Sequence, residues 1–180
     1  MRKASVAGSA LVLALAVSPG GIASAQQTTT IQVAQAGELS AEDQEFLKKA
    51  IQGGQAEVAI SQLALEKSQN EQVRTFAERM VMDHTAANQQ LLSLEGAGGT
   101  LPKELDTKHQ ALLEQLSKLS GNEFDRHYMK GQVQDHQAAV KLFTSEATQP
   151  SGPVDALAGE LLPALRQHLQ MAEDISKSIA

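Results

Sequence analysis

Four residues have types and spacing that could do chemistry: Glu57, His84, His136 and His168. Each falls on the apolar stripe of a different amphipathic segment, near that segment's middle. One carboxylate with three imidazoles is a reasonable ligand set for a transition metal, Fe, Mn, Zn or Cu. The requirement is convergence. Inward side chains at mid-height of an antiparallel helical bundle share one level and meet at its axis. The same four residues have a plainer use, because a buried neutral histidine can bond a facing glutamate or a carbonyl left free by a proline.

Two of the histidines lie in a repeated skeleton. RTFAERMVMDHTAANQQL (74–91) is followed 52 residues later by RHYMKGQVQDHQAAVKLF (126–143), with identities at Arg, Val, Asp, His and two Ala. Asp83 and Asp135 precede the histidines and so point about 100° away. Asp83 has Arg79 at i−4 as a surface partner, and either aspartate is an alternate that could orient a ligand histidine. Met80, one turn before His84, and Met129 either fill core or add a thioether that suits copper. Arg74, Arg126, His109 and His127 read as solvated. Tyr128 reads as core with its hydroxyl at an edge.

The elements that must position these groups are all helical, with no strand alternation anywhere. Ser40-Ala-Glu-Asp43 is a capping box opening a first helix whose face is Phe46, Ala50, Gly53, Glu57, Ile60 and Ala64. Gly53-Gly54 predicts a kink or a close helix approach. A second helix starts after Asn70, carries Val73, Phe76, Met80, His84, Ala87 and Leu91, and stops at Gly96–Gly99. Thr100–Leu105 is a Pro-containing connection, and Asp106 caps a short helix ended by Gly121. Asn122 caps the next, with Phe124, Tyr128 or Met129, Gln132, His136, Ala139 and Phe143 inward. After the turn 148–153, Pro153 opens the last helix, with Leu157, Leu161, Leu165, His168, Ala172 and Ile175 inward and a kink at Pro163. Tight links first–second and third–fourth, with a long crossover between, predict an all-α, ferritin-like antiparallel four-helix bundle over 40–178.

Composition narrows the function. Arg2 and Lys3, the apolar run 10–17 and Ala23-Ser-Ala25 form an export signal over 1–25, cut after Ala25. Residues 26–39 are a polar, flexible lead-in. Losing the two basic residues of the leader takes the net charge from −6 to −8, which disfavours nucleic acid as a partner. The apolar run is too short for a transmembrane anchor. With no cysteine, disulfides, thiolate metal sites and thiol catalysis are all excluded. The core must be aliphatic, since the chain has four Phe, one Tyr and no Trp.

Taken in order, Gly53-Gly…Glu57, Met80…Asp83-His84, Phe124-Asp…Tyr128, Asp135-His136 and Leu162-Pro…His168 resemble a bacterial family known as domain of unknown function 4142. The resemblance spans about residues 43–173. It implies a ferritin-like fold in an exported protein, periplasmic or outer-membrane-associated, and it implies no reaction. True ferritins place Glu-x-x-His on two helices. Here no glutamate precedes His84 or His168 by a turn, so a ferroxidase centre is not expected.

Two functions follow. One is a metal-binding bundle using Glu57, His84, His136 and His168. The other is a non-catalytic module that meets an envelope protein or a second copy of itself, its histidines only hydrogen-bonding in the core. Metal-assisted catalysis would need an open coordination position and a substrate pocket, and neither is legible in the sequence.

Overall fold

The structure, a computed structural model, describes residues 39–94, 104–149 and 152–180. The export signal, the lead-in through residue 38, the glycine stop at 96–99 and the connection at 100–103 lie outside the described residues.

Five helices occur among the described residues: α1 (Ala41–Lys67), α2 (Glu71–Leu94), α3 (Thr107–Ser117), α4 (Gly121–Ala147) and α5 (Pro153–Ser178). Their starts follow from local chemistry. Ser40 Oγ accepts from the Asp43 amide while the Asp43 carboxylate accepts from the Ser40 amide, the reciprocal capping expected. Asn70 Oδ1 accepts from the amides of Gln72 and Val73, and Asp106 from that of His109. Asn122 is not a cap. It lies inside α4, whose first residue Gly121 takes φ +54° after an extended Ser120, a left-handed turn that glycine makes without strain.

The chain forms an antiparallel four-helix bundle with one long crossover that carries α3. α1 pairs most closely with α2, and α4 with α5, while α1 with α4 and α2 with α5 complete the square. Phe46 and Phe143 stack edge-on, their centroids 5.0 Å apart, joining the start of α1 to the end of α4. At the other end, Lys67 donates to the carbonyls of Ser117 and Leu119. Arg74 is not a free surface charge. Its guanidinium donates to the carbonyls of Leu65 and Ser68 and so closes the end of α1.

Two apolar clusters fill the ends. Ile60, Phe76, Met80, Phe124, Tyr128 and Met129 centre one, and Leu47, Ile51, Leu91, Phe143 and Leu162 the other. Met80 and Met129 are therefore core-filling residues. The Tyr128 hydroxyl is satisfied by Ser61 at 2.9 Å. Both glycines at 53–54 stay within α1. Gly54 answers the prediction of a close approach, since a Cβ there would overlap the Asn88 amide oxygen of α2. In the first half of α5 the buried residues are Val154, Ala158 and Leu162 rather than Leu157 and Leu161, a rotation of one residue. Among the described residues no helix is long and apolar enough to cross a membrane.

Candidate metal centre

Between the two apolar clusters lies a polar layer, and the three histidines meet there. His84, His136 and His168 are 7%, 1% and 2% exposed. Their ring centroids are 5.5, 5.5 and 5.4 Å apart, close to an equilateral triangle. One ring nitrogen from each lies within 4.8 Å of the others. They come from three different corners of the bundle, delivered by α2, α4 and α5.

Hydrogen bonds fix how the rings present themselves. His136 Nδ1 is 2.9 Å from the carbonyl oxygen of Gln132. A carbonyl can only accept, so Nδ1 carries the proton and Nε2 keeps its lone pair. That Nε2 faces His84 Nε2 at 3.4 Å. His168 Nε2 lies 2.8 Å from Asp83 Oδ2. Burial alone would raise the Asp83 carboxyl, but the hydrogen bonds from His168 and Arg79 outweigh it and hold it below its ordinary value. The carboxylate is thus ionised and accepts from His168 Nε2, which leaves the lone pair on His168 Nδ1. That nitrogen is buried with no hydrogen-bond partner in the protein.

Burial pushes His84 down to about 3, aided by the charges of His136 and His168. It pushes His136 down to about 4, against the Gln132 carbonyl that favours the protonated ring. His168 is lowered by burial too, against the pull of Asp83. All three rings are neutral at physiological pH, the protonation state that binds metal. A carboxylate holding one N–H of a ligand histidine is the usual support of such rings, and so is a backbone carbonyl.

Glu57 stands elsewhere in the layer. Its Oε1 is 3.8 Å from His136 Nδ1, the protonated side of that ring, and its Oε2 accepts from Gln132 Nε2 at 2.6 Å. Burial pushes its carboxyl up to about 8, against the Gln132 hydrogen bond. It is a neutral acid behind His136 rather than a fourth converging ligand. Asp83 pairs with Arg79 at 3.1 Å as its spacing suggests, but the histidine it orients is His168 of α5, not its neighbour His84. Asp135 has no such role. It pairs with Lys108 at 2.5 Å, with His109 Nε2 3.9 Å away. His109 is mostly buried against Asp106, at 2.6 Å, rather than solvated.

Two polar residues of the layer carry readable signals. Gln132 and Asn88 sit one helical turn from His136 and His84, at i−4 and i+4 on the same faces. Gln132 is part of the inward stripe read from the sequence, and Asn88 is not. Beside the layer lies a cavity of about 350 Å³ that the three histidines line together with Gly53, Leu91 and Phe143.

Comparison with curated proteins gives no match. The crystal structure of a DUF305 fragment from Deinococcus radiodurans is similar, with a TM-score of 0.68 and 19% identity over 77% of this chain and 97% of that one. At that identity the likeness is one of fold alone. Residues 28–175 match the family described as "Domain of unknown function (DUF4142)", and with most of the chain inside that match the protein belongs to this family.

Proposed function

We propose that this bundle binds one transition-metal ion, zinc or copper, through His84, His136 and His168, on the envelope side of the membrane to which its leader would send it. The observation that carries the reading is the convergence of three neutral, buried imidazoles, two of them with lone pairs freed by partners on the far side of the ring. Two nitrogens 3.4 Å apart, each at the roughly 2.0–2.1 Å of a zinc–imidazole bond, would subtend roughly 110° at the ion, close to tetrahedral. Closing the third ring's nitrogen from as much as 4.8 Å to the same 3.4 Å spacing, a shift of up to about 1.4 Å, completes a three-histidine set. Three imidazoles without thiolate or carboxylate suit zinc or copper better than the oxygen-seeking Mn, Mg or Ca.

The test is elemental analysis of residues 26–180, stripped by chelator and reloaded with Zn, Cu, Fe and Mn, beside a His84→Ala/His136→Ala double variant. About one zinc or copper per chain in the parent, lost in a variant that remains helical, is the expected result. No retained metal in the parent would leave the histidines as hydrogen-bonding core groups.

A further inference from the structure

The cavity beside the histidines is larger than metal binding requires. At about 350 Å³ it is more than twice the roughly 150 Å³ of an engineered apolar cavity that takes up benzene. Its position follows from the bundle's construction. The two hairpins, α1/α2 and α4/α5, are tightly packed within themselves and less so against each other. Where the hairpins meet, the sequence places Gly53, Ala87, Ala139 and Ala164, residues too short to fill the space. Leu91 and Phe143 close the space on the side of one apolar cluster. The opposite wall is the histidine layer, with the unpartnered, buried His168 Nδ1.

Away from the histidine layer such a space suits an apolar group better than water or a charge. A buried water needs two to four polar partners; the leucine and alanine walls give none, and the polar lining groups, Asn88, His136 and His168 among them, stand to one side. The charged groups at its edge are already matched, Lys108 with Asp135 and Lys49 with Glu45. Pockets that hold small molecules have this make-up, apolar walls with polar groups gathered at one end.

We propose that the cavity binds a small uncharged organic molecule of about bicyclic size, with an apolar body against Leu91 and Phe143 and one lone-pair nitrogen or oxygen turned toward the three imidazoles. The part played by that lone-pair atom, as a further ligand to the bound ion, rests on the metal-binding reading. The part played by the apolar body does not.

Two bicyclic probes of similar bulk separate these parts: indole, which has no free ring lone pair, and isoquinoline, which has one. Each is titrated into the full-length protein, metal-free and zinc-loaded, by calorimetry and methyl NMR. Indole is expected to bind both forms saturably at sub-millimolar concentration, with affinities within twofold. Isoquinoline is expected to bind the zinc form at least tenfold more tightly than the metal-free form. Ala139→Leu, which fills the cavity from α4, should weaken indole at least tenfold while helicity is kept, and Ala87→Leu does the same from α2 should the first variant fail to fold. Absence of saturable indole binding to the folded parent overturns the proposal, as does undiminished binding in both folded variants. Indole binding and stoichiometric zinc without the isoquinoline preference overturn the lone-pair assignment. Indole binding to a parent that retains no zinc overturns the metal reading and leaves the apolar site standing.

Discussion

His84 Nε2 and His136 Nε2 stand 3.4 Å apart across the diagonal of the bundle, on helices that each pack chiefly against other partners. α2 and α4 run in the same direction, because the crossover returns the chain to the end where α1 finishes. Equivalent positions in the two helices therefore lie at the same height. This accounts for a sequence repeat that relates the second and third long helices: each must deliver one histidine to one level. The repeat's two aspartates then part company, because each looks out on a different neighbour.

That divergence is testable. Asp83→Asn keeps the shape of the side chain but gives up the charge that accepts from His168 Nε2 at 2.8 Å. Metal dissociation constants, measured by competition with a chromophoric chelator, should rise about 10–100-fold, as for other groups that support a ligand histidine. Asp135→Asn, which loses only the pairing with Lys108 and the nearby His109, should leave the constant within about twofold of the parent.

The polar layer also sets the pH profile of the metal-free protein. The Glu57 carboxyl titrates at 4.5 when free and near 8 in the fold. Its contribution is fully present below 4.5 and is lost as pH rises through 8, because the native state holds a proton that the unfolded chain has released. His84 and His136 titrate at 6.5 when free and near 3 and 4 in the fold, so their contribution is present above 6.5 and is lost as pH falls. Thermal unfolding from pH 4 to 9 should show greatest stability near pH 6–7. From that maximum to pH 8 the decline should be about 2 kcal/mol. Glu57→Gln, which keeps an acceptor for Gln132, should remove the part of the alkaline decline above pH 7. The acid decline stays, and so does the smaller loss through pH 7 from Glu146, whose carboxyl burial raises to about 7.

The two glycines of α1 should respond oppositely to the same change. Gly53→Ala adds a Cβ that meets nothing within 4 Å and should gain up to about 1 kcal/mol from helix propensity. Gly54→Ala drives its Cβ into the Asn88 amide and should cost about 1–2 kcal/mol through overpacking. Combining it with Asn88→Ala should recover most of that loss. Additivity of the two changes in denaturant unfolding would show that the Gly54–Asn88 contact is not what constrains this crossing.

Much of the site was legible because it lies on regular helices. Period 3.6 places His84, His136 and His168 inward without any knowledge of their partners, and mid-helix location brings them to one level in any antiparallel bundle. Glu57 obeys the same rule and is indeed buried, at 7% exposure. Periodicity gives the face, however, and not the direction of a side chain across it, so the rule could not say which side of the His136 ring Glu57 would meet. In the first half of α5 the predicted stripe is off by one residue, about 100°, because Leu157 and Leu161 compete with Val154, Ala158 and Leu162 for the inward face. His168 lies beyond that error and kept its place.

The sequence by itself determined the helices, their caps at Ser40, Asn70 and Asp106, the inward faces and the absence of cysteine chemistry, since these depend on contacts within a few residues along the chain. Only the tertiary structure decided which polar groups touch. That Asp83 holds His168 across 85 residues, that Glu57 reaches the protonated nitrogen of His136, and that alanines at the meeting of the hairpins leave a cavity all depend on how helices far apart in the chain pack together. Local propensity carries no information about those distances. They are set by the shapes of the apolar clusters above and below the histidines.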